Sequence, residues 1–160
     1  MSKKIRFQAE FEELSWEELS TEEQQLMMRA RRISETAYAP YSAFQVGAAL
    51  RLESGEILQS SNQENVSFPV GTCAERLVLG YAGANFSGVA VKQLAIAARR
   101  RGDEVWAKVS PCGMCRQAIN ETEMRFGSPI SLLLQQANGD ILRFNGIQSL
   151  LPFKFDDLNA

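Results

Sequence analysis

Ser110-Pro111-Cys112-Gly113-Met114-Cys115-Arg116-Gln117 is the stretch from which the fold of this 160-residue chain is read. A serine suited to an N-cap precedes a proline, the residue favoured at the first helical position, so a helix is expected from here to about Phe126. Downstream, Ile130 to Leu134 and Ile141 to Phe144 have the apolar character of strands, with Asn138-Gly139 supplying a turn between them. Upstream, Leu94 to Ala98 is a short apolar run of buried-strand type. Thr72 and Glu75 form a capping-box pattern that opens a helix through Leu77, Val78, Leu79, Tyr81 and Ala82 towards Gly83. Phe44 to Leu52 and Ile57-Leu58, separated by Glu53-Ser54-Gly55-Glu56, read as a β-hairpin. Ser20 and Glu23 make another capping box, and Leu26, Met27, Ala30, Ile33 and Ala37 give one apolar face to a helix that must end before Pro40. The order helix, two strands, helix, strand, helix, two strands predicts an α/β fold with a mixed sheet and helices packed on its faces, a three-layer α/β/α sandwich. Residues 21–160 are taken as a single domain. Residues 1–20, acidic after Arg6, are taken as an N-terminal extension in which Ile5, Phe7, Ala9 and Phe11 alternate as a short strand would.

A chain of this length with 45% apolar residues buries about 70% of its unfolded surface. It needs no disulfide staple. Lys and Arg total 17 against 19 Asp and Glu, a net charge of −2, so no global positive field draws it to nucleic acid or anionic lipid, and neither is an expected partner. The amino end lacks the continuous apolar stretch of a signal peptide, and no 18-residue apolar run predicts a transmembrane helix. A cytoplasmic location is expected. There are no histidines, which removes every Ser/His or Cys/His arrangement and every His metal ligand. Three cysteines remain, an odd number that in a reducing compartment points to metal binding or a reactive thiol.

Cys73 is expected as the first residue of the second helix and Cys112 as the second residue of the third, with Cys115 one turn on. Helix amino ends favour thiolates, the form that binds metal. Cys-x-x-Cys lets two sulfurs grip one tetrahedral ion, and soft sulfur favours zinc. With no fourth cysteine and no histidine, the last position is expected to hold water, acidified to a pKa of about 7 on such an ion. The pair alone also suits a thioredoxin-like redox centre, and a lone Cys73 suits a buried apolar site. Glu75 could merely cap its helix. Placed two residues after Cys73, it could instead reach the water and pass its proton on. Zinc nucleobase deaminases carry His-x-Glu followed by Pro-Cys-x-x-Cys, with an all-cysteine variant allowed. Cys73-Ala74-Glu75 and Pro111-Cys112-Gly113-Met114-Cys115 fit that pattern with Cys for His. Three thiolates on a dication leave a net charge of about −1, which donors from Arg76 and Arg116 to the sulfurs would offset. The plainer alternative for both arginines is a solvent-facing helix position.

On these residues the chain resembles the small, homotetrameric type of cytidine deaminase. The resemblance runs from about Leu26 to Phe155 through Tyr38-Ala39-Pro40-Tyr41-Ser42-Ala43-Phe44-Gln45-Val46-Gly47-Ala48-Ala49-Leu50, Asn62-Gln63-Glu64-Asn65, Thr72 to Arg76, Ser110 to Gln117 and Leu150-Leu151-Pro152. It implies a three-layer fold of cytidine-deaminase type, one zinc per subunit, and active sites built partly from neighbouring subunits of a homotetramer. It further implies that Asn62 and Glu64 hydrogen-bond the ribose, that Phe44 packs against the nucleoside, and that the backbone at Ala74 and Ser110 meets the pyrimidine edge. Asn62 and Glu64 would equally suit a polar turn. Phe155 matches the aromatic residue that covers the base in an adjoining subunit, with Phe153 as the nearby competitor. Phe68 stands where the family commonly has Tyr. Leu77-Val78-Leu79-Gly80 is closer to blasticidin deaminase, a relative acting on a cytosine-bearing antibiotic.

The expected function is therefore zinc-dependent hydrolysis of cytidine and 2′-deoxycytidine to the uridines, a pyrimidine-salvage step. A modified cytosine nucleoside or antibiotic such as blasticidin S is the alternative substrate, and a non-catalytic zinc-stabilised binding protein is the alternative of another class. Arg99-Arg100-Arg101 beside Gly102-Asp103 reads as a solvated turn rather than a phosphate track.

Overall fold

The computed structural model describes residues 2–157. Its elements are strand β1 (Glu12–Leu14), helix α1 (Thr21–Ser34), strands β2 (Phe44–Leu52) and β3 (Ile57–Ser61), helix α2 (Ala74–Asn85), strand β4 (Val91–Arg100), helix α3 (Gly113–Phe126) and strands β5 (Ser131–Gln135) and β6 (Ile141–Asn145). The strands form one sheet in the order β1-β6-β5-β4-β2-β3. β4 and β5 run parallel, and the other neighbours are antiparallel, so the sheet is mixed.

Alternation along the strands assigns the two faces. Ala49, Ala95, Ala97, Leu133 and Ile141 point to one side, where Leu26, Met27 and Ala30 of α1 cover them. Ala48, Leu50, Leu94, Ile96, Ala98, Leu132 and Leu134 point to the other, against Val78 and Ala82 of α2 and Ile119 of α3. This is the expected sandwich. Gly47 sets how closely α1 approaches β2, because a Cβ there would lie 2.0 Å from the Ala30 carbonyl oxygen and 2.7 Å from the Ser34 nitrogen.

The Ser20–Glu23 capping box forms as read: the Ser20 hydroxyl accepts from the Glu23 amide, and the Glu23 carboxylate accepts from the Ser20 amide. Glu23 also meets Arg143 of β6 at 2.9 Å, and Arg143 reaches Glu12 at 2.7 Å. That charge pairing explains where the first strand lies. The alternation at Ile5 to Phe11 suggested a strand there, but pairing begins at Glu12, opposite Arg143, and places Leu14 opposite Ile141. Phe11 instead stacks on Phe144, with ring centroids 5.2 Å apart.

Two helix starts differ from expectation. Thr72 does not cap α2: its amide donates to the Gln63 carbonyl, its carbonyl accepts from the Gln63 amide, and its hydroxyl donates to Val70. Cys73 takes the N-cap position of α2 instead. Likewise Cys112, not Ser110, is the N-cap of α3. In both places the sulfur occupies the cap site with no side-chain cap hydrogen bond, which leaves it available to a ligand.

Candidate active site and metal centre

α2 and α3 pack side by side on one face of the sheet with their amino ends together, and this brings the three cysteines into one cluster. Cys73 Sγ lies 3.9 Å from Cys112 Sγ, which lies 3.4 Å from Cys115 Sγ, and all three sulfurs are within 4.8 Å of one another. Zinc bound tetrahedrally at about 2.3 Å from each sulfur requires sulfur–sulfur edges of about 3.8 Å. The cluster fits a zinc ion with little adjustment. No disulfide joins the three, and Cys115 is buried while Cys112 is exposed.

One sulfur of the cluster, that of Cys73, already favours thiolate. The Cys73 thiol is drawn down to about 5, chiefly by the hydrogen bond from Cys115, with Cys112 and the Arg76 guanidinium adding to it. Cys115 is pushed up because it holds the proton in that pair. Arg76 donates to the Gly71 carbonyl at 3.4 Å, and its buried Nε has no hydrogen-bond partner among the described residues. Arg116 is placed differently. Its Nε donates to the Pro111 carbonyl at 2.8 Å, Nη1 to the Leu150 carbonyl at 2.7 Å, and Nη2 to the Ser110 hydroxyl at 3.1 Å.

Glu75, on the first turn of α2, is 4% exposed. Burial pushes its carboxyl above the ordinary range, and the neighbouring Cys73 charge adds to the rise. It lines a cavity of about 580 Å³ together with Cys73 and Cys112. Phe44, Asn62, Glu64, Arg76 and Ser110 line the same cavity. Of the other residues singled out in the sequence, Ala74 is fully buried and its carbonyl accepts from Ser60. Phe155 and Phe153 are exposed, at 67% and 90%, outside the lining of this cavity.

Asn62 and Glu64 make internal bonds as well as facing the cavity. Asn62 Oδ1 accepts from the Val46 amide and its Nδ2 donates to the Phe44 carbonyl, so the side chain continues the pairing of β2. Glu64 accepts from the Tyr41 and Ser42 amides and from the Ser42 hydroxyl, and these bonds hold its carboxyl below its ordinary value. A carboxylate offers about four acceptor sites and an amide two donors, so each side chain keeps capacity for a ligand. Tyr41, Phe68, Val109 and Met114 also line the cavity and were not singled out as substrate contacts in the sequence. Only tertiary folding joins them: Tyr41 meets Phe68 edge-on with centroids 5.7 Å apart, 27 positions along the chain.

A family model described as the cytidine and deoxycytidylate deaminase zinc-binding region matches residues 20–126. The chain belongs to this deaminase family. It is 35% identical over 140 residues to the cytidine deaminase of Halalkalibacterium halodurans, covering 85% of this chain and 97% of that one. It is 38% identical over 139 residues to the cytidine deaminase of Sporosarcina psychrophila, covering 85% and 94%. A blasticidin-S deaminase of Bacillus cereus is 34% identical over 114 residues, covering 69% of this chain and 76% of that one. The crystal structure of cytidine deaminase from Burkholderia pseudomallei superimposes with a TM-score of 0.70 at 31% identity, covering 86% of this chain and all of that one. The family's metal and the sulfur geometry agree: zinc is the cofactor of this deaminase, and Cys73, Cys112 and Cys115 are positioned to bind a metal ion. No helix among the described residues is long and apolar enough to cross a membrane.

Proposed function

We propose that this deaminase is a hydrolase that converts cytidine and 2′-deoxycytidine to uridine and 2′-deoxyuridine with release of ammonia. The observation that carries the reading is the placement of a buried carboxyl, Glu75, in the same cavity as the metal-binding sulfurs of Cys73 and Cys112. Cys115 completes the ligand set. When bound, zinc supplies a Lewis acid that makes water nucleophilic near neutral pH. Glu75 moves the protons: it accepts one from the attacking water and delivers it to N3 of the pyrimidine, then takes the proton of the new C4 hydroxyl and carries it to the departing amine as the C4 carbonyl forms. Its raised affinity for a proton suits a group that must hold one between steps.

The rest of the cavity orients the nucleoside. Phe44 packs against it, and Asn62 and Glu64 meet the ribose hydroxyls, which both donate and accept. The backbone at Ala74 and Ser110 meets the pyrimidine edge. Arg76, whose charge already acts on Cys73, offsets the excess negative charge of the sulfurs. Arg116 supports the same centre through the Ser110-Pro111 loop.

The working form we propose is a homotetramer in which Phe155 covers the base in an adjoining subunit. Large exposed apolar side chains, Val66, Phe68, Val70 and Met114 among them, support association of copies. We take residues 21–160 as one deaminase domain, and residues 1–20 as an extension that lends it an edge strand. The cellular role proposed is pyrimidine salvage in the cytoplasm.

The test is the loss of cytidine absorbance and release of ammonia by zinc-loaded protein, run beside blasticidin S. Faster turnover of cytidine and deoxycytidine supports the reading. Preference for blasticidin S transfers the chemistry to the antibiotic, and no ammonia from any cytosine nucleoside leaves a zinc-stabilised binding protein.

A further inference from the structure

The segment after β6 is tied to the metal-binding helix by adjacent side chains. Arg116 Nη1 donates to the Leu150 carbonyl at 2.7 Å, and Gln117 Nε2 donates to the Phe155 carbonyl at 2.7 Å. Glu123, two turns further along α3, feels the charge of Lys154. At its start, Ile147 is fully buried and its amide donates to Glu123 Oε1 at 3.0 Å. Leu150 and Leu151 pack partly against the core, whereas residues 152–157 are exposed.

Arg116 faces two ways. Its Nε and Nη2 hold the Pro111 carbonyl and the Ser110 hydroxyl, the two residues that lead into Cys112. Cys112 has no side-chain cap bond of its own, so the path of the chain through Ser110-Pro111 decides where its sulfur stands. One planar guanidinium satisfies three acceptors from two separate segments, 110–111 and 150. An ammonium has no such fork. Loss of either segment leaves the guanidinium with fewer partners and frees the other.

We infer that Arg116 is a positioning residue that couples zinc capture at Cys112 to docking of the C-terminal segment 150–155, with Gln117 as the outer fastening of that segment. The two events share one equilibrium, so each strengthens the other by the same factor. Zinc tightens the segment onto α3, and the docked segment tightens zinc. The inference concerns how the metal centre is held and does not depend on which nucleoside is deaminated.

The experiment reads both directions on the full-length chain without using activity. Limited trypsin digestion followed by mass spectrometry gives the rate of the cut after Lys154, in metal-free protein and in protein with added zinc. A competing chelator gives zinc affinity. For the unchanged chain, zinc slows the Lys154 cut several-fold. Arg116→Ala weakens zinc about 10–100-fold, the range for loss of a partner that orients metal ligands, and abolishes the effect of zinc on that cut. Arg116→Lys keeps the charge and serves if the alanine variant does not fold; it is expected to follow Arg116→Ala. Gln117→Ala speeds the cut with or without zinc and weakens zinc by less than Arg116→Ala does. Two results overturn the inference: an Arg116→Lys variant with unchanged zinc affinity, or a cut whose rate is the same with and without zinc in the unchanged chain. A chain that binds no zinc at all would instead overturn the metal assignment, and the chelator measurement separates that outcome.

Discussion

Gly47 offers a sharp test of how the sandwich is assembled. Replacing it with alanine adds one methyl at a point where α1 crosses β2, and that methyl would stand 2.0 Å from the Ala30 carbonyl oxygen, 2.7 Å from the Ser34 nitrogen and 3.0 Å from Ile33 Cγ2. The first two neighbours are backbone of a helix, which cannot rotate away as a side chain does. The helix must move off the sheet or β2 must bend, and either opens the contact of Met27 and Ala30 with Ala49 and Ala97. Forced overpacking costs about 1–3 kcal/mol, and backbone on both sides places Gly47→Ala at the upper end. For a domain of this size each kcal/mol lowers Tm by about 2–4 °C, so a fall of about 6–12 °C is expected. The assay is thermal unfolding by circular dichroism of zinc-loaded protein, with Gly55→Ala, where a methyl meets no neighbour within 4 Å but the backbone φ is +99°, as a control for strain without crowding. A Gly47→Ala variant that melts within 2 °C of the unchanged chain would refute the close approach.

Other expectations follow from single groups. Glu75→Gln keeps the shape of the side chain and removes its proton transfer, so zinc content stays and kcat for cytidine falls by about 10²–10⁴-fold, measured by absorbance and by metal analysis of the same sample. Burial acts to raise the Glu23 carboxyl, but the bonds from Ser20 and Arg143 outweigh it and hold the group below its ordinary value of 4.5. Its ionised form therefore adds stability above pH 4.5, lost as pH falls through the lower folded value. Urea titrations should show Glu23→Gln less stable than the unchanged chain by about 1–3 kcal/mol at pH 7, with the gap narrowing below the ordinary carboxylate range. Glu123 Oε1 accepts from the Ile130 amide at 2.9 Å and the Ile147 amide at 3.0 Å. Glu123→Ala strands both donors and should cost about 2–4 kcal/mol in the same titration, whereas Glu123→Gln, which keeps an oxygen there, should cost less.

The sequence carried the layers of the fold because each rests on local pattern. The apolar face Leu26, Met27, Ala30 and the runs Leu94 to Ala98 and Ile130 to Leu134 are periodic, and burial follows their period. The Ser20–Glu23 cap also needs only near neighbours. Where a distant partner intervenes, local pattern gives the wrong local answer: Thr72 is drawn from its cap by Gln63, and the first strand is set by Arg143 rather than by alternation at Ile5 to Phe11. The cysteine cluster was legible for a different reason. Spacing fixes Cys112 and Cys115 on one turn, and the absence of histidine leaves sulfur as the soft ligand. The bonds of Asn62 to β2, of Glu64 to the Tyr41-Ser42 turn and of Arg116 to Leu150 span 16, 23 and 34 positions and have no local signature.

X-ray absorption at the zinc edge on the purified protein tests the metal centre most directly. Three cysteines and no histidine predict three sulfur scatterers at about 2.3 Å and one light scatterer at about 2.0 Å, with one zinc per chain. Four sulfurs drawn from two chains, three sulfurs with no light atom, or a protein that holds no zinc would contradict the open three-sulfur centre overlooked by Glu75.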